Sequence, residues 1–185
     1  TTTADASTAA ADAAPVSDAV RFKVYRGAEA PNFDELTCME MVGLTPTIIS
    51  GIERAGAAGA EEGSVVKMLF SMPGMSLTYA WFKSGFPLPL HSHNAECLYY
   101  IIAGTLKLGT EILGAGDGFF VGSDVPYTYT PGPEGVEVLE FRTANQFDIR
   151  FMGKTEAFWD KTVAALQAQR PAWADQPPPH TRVPA

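Results

Sequence analysis

Gly85-Phe86-Pro87-Leu88-Pro89-Leu90-His91-Ser92-His93-Asn94-Ala95-Glu96-Cys97-Leu98-Tyr99-Tyr100-Ile101-Ile102-Ala103-Gly104 is the stretch on which the fold turns. Two histidines stand two residues apart. On an extended strand such residues point to one face, so both imidazoles can converge on a single ion. A Gly- and Pro-punctuated approach leads in, and the apolar and aromatic run that follows is strand-like in composition.

Outward from this stretch the same signal repeats: short apolar or alternating runs split by Gly, Pro and Asp. Strands are expected over 21–25, 47–49, 65–70, 77–82, 98–103, 105–108, 118–121, 127–130, 136–141 and 147–151, the density of an all-β sandwich or barrel. In Val136-Glu137-Val138-Leu139-Glu140-Phe141 the acids tend to one face and the large apolar groups to the other, with one step out of phase. A helix is expected over 156–169, capped by Thr155 and stopped by Pro171, with Phe158, Val163 and Leu166 on or near one stripe. A shorter helix is expected near Asn32, where Phe33, Leu36 and Met39 recur at helical spacing. The Gly- and Ala-rich stretch 55–63 reads as a mobile loop.

The organisation expected is a disordered arm over 1–20, a β-barrel over 21–153, a helix over 154–170 and a proline-rich tail over 171–185, laid over a partner subunit. Residues 1–20 hold too little large apolar surface to offset the entropy of ordering. Pro171, Pro177, Pro178, Pro179 and Pro184 forbid a continued helix or ladder at the other end. The chain of 185 residues suits one domain. With 46% hydrophobic and 18% charged residues it can build a core. No apolar run is long enough to cross a membrane as a helix. A net charge of −8 disfavours nucleic acid and anionic lipid. Two cysteines exclude a multi-disulfide framework. No signal segment is visible at the first residues, and a cytoplasmic location is expected.

The stretch 85–104 resembles the first signature of the cupin superfamily, which runs Gly, His-x-His, Glu, Gly. A second stretch, Leu113-Gly114-Ala115-Gly116-Asp117-Gly118-Phe119-Phe120-Val121-Gly122-Ser123-Asp124-Val125-Pro126-Tyr127, resembles the second signature, with Gly116-Asp117 and Pro126 in place. The resemblance covers about residues 64–142 and implies a cupin-type β-barrel, a double-stranded β-helix or jelly roll, with a C-terminal helix and flexible tails. Cupin folds host oxygenases, lyases, isomerases, decarboxylases and non-enzymatic binders, so the fold alone selects no reaction. It also implies pairing into a homodimer through edge strands and arms.

This chain departs from the pattern at two positions. Cys97 stands where spacing back from Gly104 places the usual Glu, with Glu96 one residue earlier; strand parity turns Cys97 inward and Glu96 away unless a bulge intervenes. Tyr127 stands at the position of the third histidine, and His180, in the tail, is a poor replacement. The candidate metal ligands are therefore His91, His93, Cys97 or Glu96, and Tyr127. The candidate cofactor is one divalent transition ion: iron, zinc, copper or nickel. Tyr127 either ionises under the ion's charge or stays a neutral hydrogen-bonding group. Tyr127 and Glu96 are the candidate proton-transfer residues.

Each of these residues also has a plainer role open to it. The histidines can be satisfied core residues, Cys97 a small buried apolar group, and Glu96 a solvated turn acid. Tyr99, Tyr100, Tyr129, Phe119 and Phe120 are expected to pack the sheet, with Trp81 and Phe86 candidates for the barrel mouth. Two functions follow: a metal-dependent cupin enzyme, an oxygenase or a lyase or isomerase, acting on a small oxygenated organic compound; or a non-catalytic small-molecule-binding or sensing cupin with a degenerate metal site. A third reading makes the domain a structural dimer partner.

Overall fold

Runs of alternating apolar residues need a strand partner on each side and a core against one face. The computed structural model, which describes residues 20–181, supplies both. In chain order the strands are β1 (Met39–Met41), β2 (Ser64–Met72), β3 (Met75–Phe82), β4 (His91–Ser92), β5 (Cys97–Leu108), β6 (Glu111–Gly114), β7 (Gly118–Val121), β8 (Thr130–Arg142) and β9 (Phe147–Phe151). Helix α1 (Pro46–Ala57) lies between β1 and β2, and α2 (Glu156–Gln169) follows β9. The larger sheet runs β2-β3-β8-β5-β6, with β7 also paired to β5; the smaller runs β1-β9-β4. Ala80, Ile101, Leu106, Val136 and Val138 are buried inside the larger sheet. The architecture is the all-β barrel expected, with its C-terminal helix.

Several elements differ from expectation, each for a local reason. Residues 47–49, read as a strand, belong to α1. Thr45 caps it by accepting from the Ile48 N–H at 3.3 Å, and Pro46 sits in the first turn, where a missing N–H costs nothing. The helix replaces the first part of the loop expected over 55–63; the rest is a 3-10 turn, Ala60–Gly63. Gly51 is required by packing: a Cβ there would lie 2.0 Å from Trp159 Cδ2. Residues 21–25 join no ladder among the described residues, and Phe22 is exposed. The helix expected near Asn32 is only a 3-10 turn, Phe33–Glu35, because Asn32 is drawn into a bridge with Lys67 and Leu36 returns to extended backbone.

The runs 98–103 and 105–108 fuse into β5, with register shifts on both sides of Gly104. Gly104 takes φ +76°, and a Cβ there would meet the Gly135 carbonyl oxygen at 2.1 Å, so the closing glycine of the first signature is a crossing point of two strands. Residues 136–141 extend back to Thr130 as β8. Helix α2 has the expected bounds and cap, Thr155 accepting from the Phe158 N–H at 3.3 Å. Its buried residues are Trp159, Thr162 and Leu166, so only Leu166 of the expected stripe is buried.

The described part of the proline-rich tail covers this chain's own barrel. Trp173 is buried, its indole N–H donating to the Ser84 carbonyl at 2.8 Å, and Lys83 Nζ donates to the Trp173 carbonyl at 3.0 Å. His180 closes on Glu137 on the outer face of β8: its backbone N–H reaches Oε2 at 2.8 Å and Nδ1 lies 2.6 Å from Oε1. The arm expected over 1–20 lies outside the described residues except for its last. Among the described residues, no helix is long and apolar enough to cross a membrane.

Candidate functional site

The two histidines enter the barrel from β4 and the turn after it. His91 is held by a bridge to Tyr127, its N–H donating to the Tyr127 carbonyl at 3.2 Å and the Tyr127 N–H donating back at 2.9 Å. The turn is tied to β9 by reciprocal bonds: the Asn94 N–H donates to Asp148 Oδ1 at 2.9 Å and the Asp148 N–H to Asn94 Oδ1 at 2.8 Å. The His93 carbonyl accepts from the Asp124 N–H at 2.7 Å. The backbone around both imidazoles is therefore fixed.

Each ring is also fixed in tautomer. His91 Nδ1 lies 2.7 Å from the Pro89 carbonyl oxygen and His93 Nδ1 2.6 Å from that of Asp148. A carbonyl only accepts, so each Nδ1 carries the proton and each Nε2 keeps its lone pair. Neither Nε2 has a hydrogen-bond partner among the described residues. The ring centroids are 4.9 Å apart with planes at 77°. Burial holds both imidazoles below their ordinary value, His93 at about 3 with the positive Arg142 adding to the effect.

Both rings line one cavity of about 380 Å³ inside the barrel, between the two sheets and under α1. Most of its wall is apolar, with Phe33, Ile52, Phe82, Phe86, Phe151 and Trp159 contributing. Its polar groups are His91, His93, Tyr99, Tyr127, Tyr129, Glu140 and Arg142, with Glu61 among the lining residues and itself exposed. Few polar groups in an apolar enclosure is the composition of a small-molecule site.

The structure brings three of the candidate residues together: His91, His93 and Tyr127. The Tyr127 ring lies 4.6 Å from that of His91 and 6.2 Å from that of His93, and its hydroxyl is hydrogen-bonded to the Tyr99 hydroxyl. Burial and then the Glu140 charge raise the Tyr127 phenol above its ordinary range, and Tyr99 is raised by the same causes. Both are protonated near neutrality. Cys97 faces inward, 2% exposed, but does not line the cavity, and burial pushes its thiol up to about 12. It is a protonated residue of the core behind the cavity, and neither it nor Cys38 is in a disulfide. Glu96 is exposed and is not among the residues lining the cavity. No bulge intervenes to turn it in.

The carboxylate of the cavity is Glu140, with Arg142 beside it: Nη1 is 2.7 Å from Glu140 Oε2, and both side chains are buried. Sequence reasoning missed both, having turned the acids of 136–141 outward together. The signal was present in parity, since Val136, Val138, Glu140 and Arg142 stand two apart and the first two are core. Tyr99 and Tyr129, expected to be packing residues, also line the cavity. Of the two mouth candidates Phe86 lines it and Trp81 does not.

The depressed imidazoles make stability depend on pH. The folded state keeps both rings neutral while the unfolded chain takes up protons below about pH 6.5. Their contribution is therefore present above that pH and is lost as pH falls toward the folded value, about 3 for His93. In metal-free protein His93 is expected to remove about 1 kcal/mol per pH unit between 6.5 and its folded value of about 3, with His91 acting in the same direction. Urea midpoints at pH 7 and pH 5 check this. His93→Gln should flatten the dependence, and an equal slope in the variant would contradict the assignment.

By sequence the chain matches no family model and no curated protein. By structure it is similar to the polyketide cyclase RemF from Streptomyces resistomycificus, at 18% identity over 57% of this chain and 82% of that one, with a TM-score of 0.48. It is similar to an RmlC-like cupin from Shewanella frigidimarina at 19% identity over 64% and 87%, TM-score 0.45. It is also similar to KdgF from a Halomonas species at 17% identity over 45% and 81%, TM-score 0.41. The two stretches that resemble cupin signatures, 85–104 and 113–127, lie in order in the wall of this barrel.

Proposed function

We propose that the chain is an enzyme acting on a small, largely apolar organic molecule with an oxygen function, bound in the barrel cavity against His91 and His93. One observation carries this reading: both Nδ1 atoms are spent on carbonyl oxygens, leaving two Nε2 lone pairs on the wall of one apolar cavity. An acceptor for the far ring N–H is what orients a metal-bound imidazole.

The pair suits one divalent transition ion, iron, zinc, copper or nickel, with Tyr127 beside it as a neutral hydrogen-bonding phenol. No group of three His, Cys, Asp or Glu gathers among the described residues, so the protein would offer two imidazoles, with the phenol alongside. Such an ion supplies polarisation of a bound oxygen. The remaining roles fall to this chain's side chains. The protonated Tyr99–Tyr127 pair donates a hydrogen bond to the substrate oxygen, Glu140 accepts a proton, and the aromatic walls exclude water. An acid and a base in one largely apolar cavity suit a lyase or isomerase.

Loading with each of the four metals, desalting and elemental analysis tests this. A stoichiometric ion is expected in the wild type and none in His91→Ala/His93→Ala. Absence of a stoichiometric ion from the wild type with all four metals overturns the metal reading. It leaves the non-catalytic binder, which Tyr127 in place of the third histidine favours.

A homodimer is part of the proposal. Phe120, Leu98 and Phe141 are aligned across β7, β5 and β8 on the outer face, 63%, 54% and 39% exposed, and Leu77 and Phe70 continue the row on β3 and β2. A contiguous apolar row of this kind suits a second copy. Light scattering is expected to give a dimer and Leu98→Glu a monomer; a monomeric wild type ends the proposal.

A further inference from the structure

We infer that the cavity takes up its ligand past Gly56, through a port between the last turn of α1 and the turn Ala60–Gly63; this rests on the cavity being the ligand site. Exposure marks the place. Among the described residues that line the cavity, Gly56 and Glu61 alone are exposed, and they stand at the two ends of this one segment. The smallest side chains of the wall are there too, Ala55 and Ala60 on either side of Gly56, while the histidines and the aromatic rings are carried by other elements. The Gly- and Ala-rich stretch 55–63 is thus the side on which the cavity meets solvent.

Helical spacing aims the missing side chain of Gly56 at this opening. Ile52, Ala55 and Gly56 stand at i, i+3 and i+4, on one face of α1, and all three line the wall. A Cβ at Gly56 would meet no atom within 4 Å, so open space begins at its Cα. Gly51 and Gly63 differ: a Cβ at the first would strike Trp159 and one at the second Phe86, so packing requires both. Gly56 has no such neighbour and lies in the helix, where glycine is weaker than alanine. Neither packing nor backbone calls for a glycine there; an unobstructed opening does. The segment is tied on both sides of the port to α2 and the residue after it. Upstream, Arg54 reaches Asp160 at 2.6 Å and Glu156 at 3.1 Å; downstream, Arg170 reaches the Glu62 carboxylate by two bonds of 2.9 and 2.5 Å.

The test is stopped-flow fluorescence of 2-naphthol binding to the full-length protein, metal-free and zinc-loaded, because an ion at the histidines changes affinity and not the opening. In Gly56→Phe, association and dissociation are both expected to slow about tenfold while Kd stays within about twofold, since a plug at the port raises the barrier equally in both directions. Gly56→Leu should slow both by less. Ala57→Phe, next in the helix, exposed and not on the wall, should change neither. Unchanged rates in the Gly56 variants, or equal slowing by Ala57→Phe, overturn the port while leaving the cavity a ligand site. A change in Kd carried by dissociation alone does the same, since residue 56 would then be wall and not entrance. No binding of 2-naphthol to either form of the wild type overturns the cavity reading as well. Should Gly56→Phe fail to fold, Gly56→Leu against Ala57→Phe decides.

Discussion

Arg142→Gln alone is expected to destabilise the protein by about 3–5 kcal/mol, while Glu140→Gln/Arg142→Gln recovers most of that loss. The single change leaves the Glu140 carboxylate buried with its counter-ion gone, and a charge cannot be held there without a partner. The double change removes both charges and replaces them with amides, one the length of the glutamate and one shorter than the arginine. Urea unfolding of the wild type and the two variants gives the comparison directly. Equal losses in the two variants would show that packing around the guanidinium, including its contact with Phe147, outweighs its charge. The expected inequality would instead mark the pair as a feature retained for what it does in the cavity, because an apolar pair of the same volume would serve the core as well.

Trp173→Ala is the second large effect: about 3–5 kcal/mol, the range for removing a buried Trp, or roughly 6–20 °C in Tm for a chain of this size. Trp173 is 1% exposed, packs at a tilt against Phe86 with ring centroids 5.8 Å apart, and donates its indole N–H to the Ser84 carbonyl. Removing it opens a void beside Phe86, which lines the cavity, and releases the anchor that Lys83 makes to the Trp173 carbonyl. The ligand cavity and the tail should therefore loosen together. Truncation before residue 171 is expected to reproduce the loss, and an unchanged Tm in either variant would show that the tail is a passive cover.

Both predictions concern residues whose importance the sequence hid, for a common reason. Arg142 and Glu140 lie in a strand where apolar and charged groups interleave, and period-two parity assigns residues to a face without saying which face is the core. Trp173 lies among prolines, a composition that describes the backbone's freedom and not what one aromatic ring finds to pack against. The helix over 46–57 was hidden similarly: Thr47, Ile48 and Ile49 are good strand formers, but the Thr45 cap, Pro46 and the seat of Gly51 on Trp159 decide the matter. Where local and tertiary preferences agree, as in α2 behind Thr155 or in β7, reading and structure coincide.

The candidate site divides along the same line. That two imidazoles share a face follows from His91 and His93 being two apart on extended backbone, and that Cys97 turns in while Glu96 turns out follows from strand parity. Those are properties of neighbours along the chain, which covalent geometry carries. That Tyr127 meets His91 across a bridge, that Tyr99 answers its hydroxyl, and that Glu140 and Arg142 face the same cavity depend on contacts between residues distant in the chain. The sequence alone thus determined the barrel, its capped second helix and the histidine pair. Tertiary structure decided which acid, which cation and which phenols join that pair, because which strands become neighbours is settled by packing the whole core and not by any one segment.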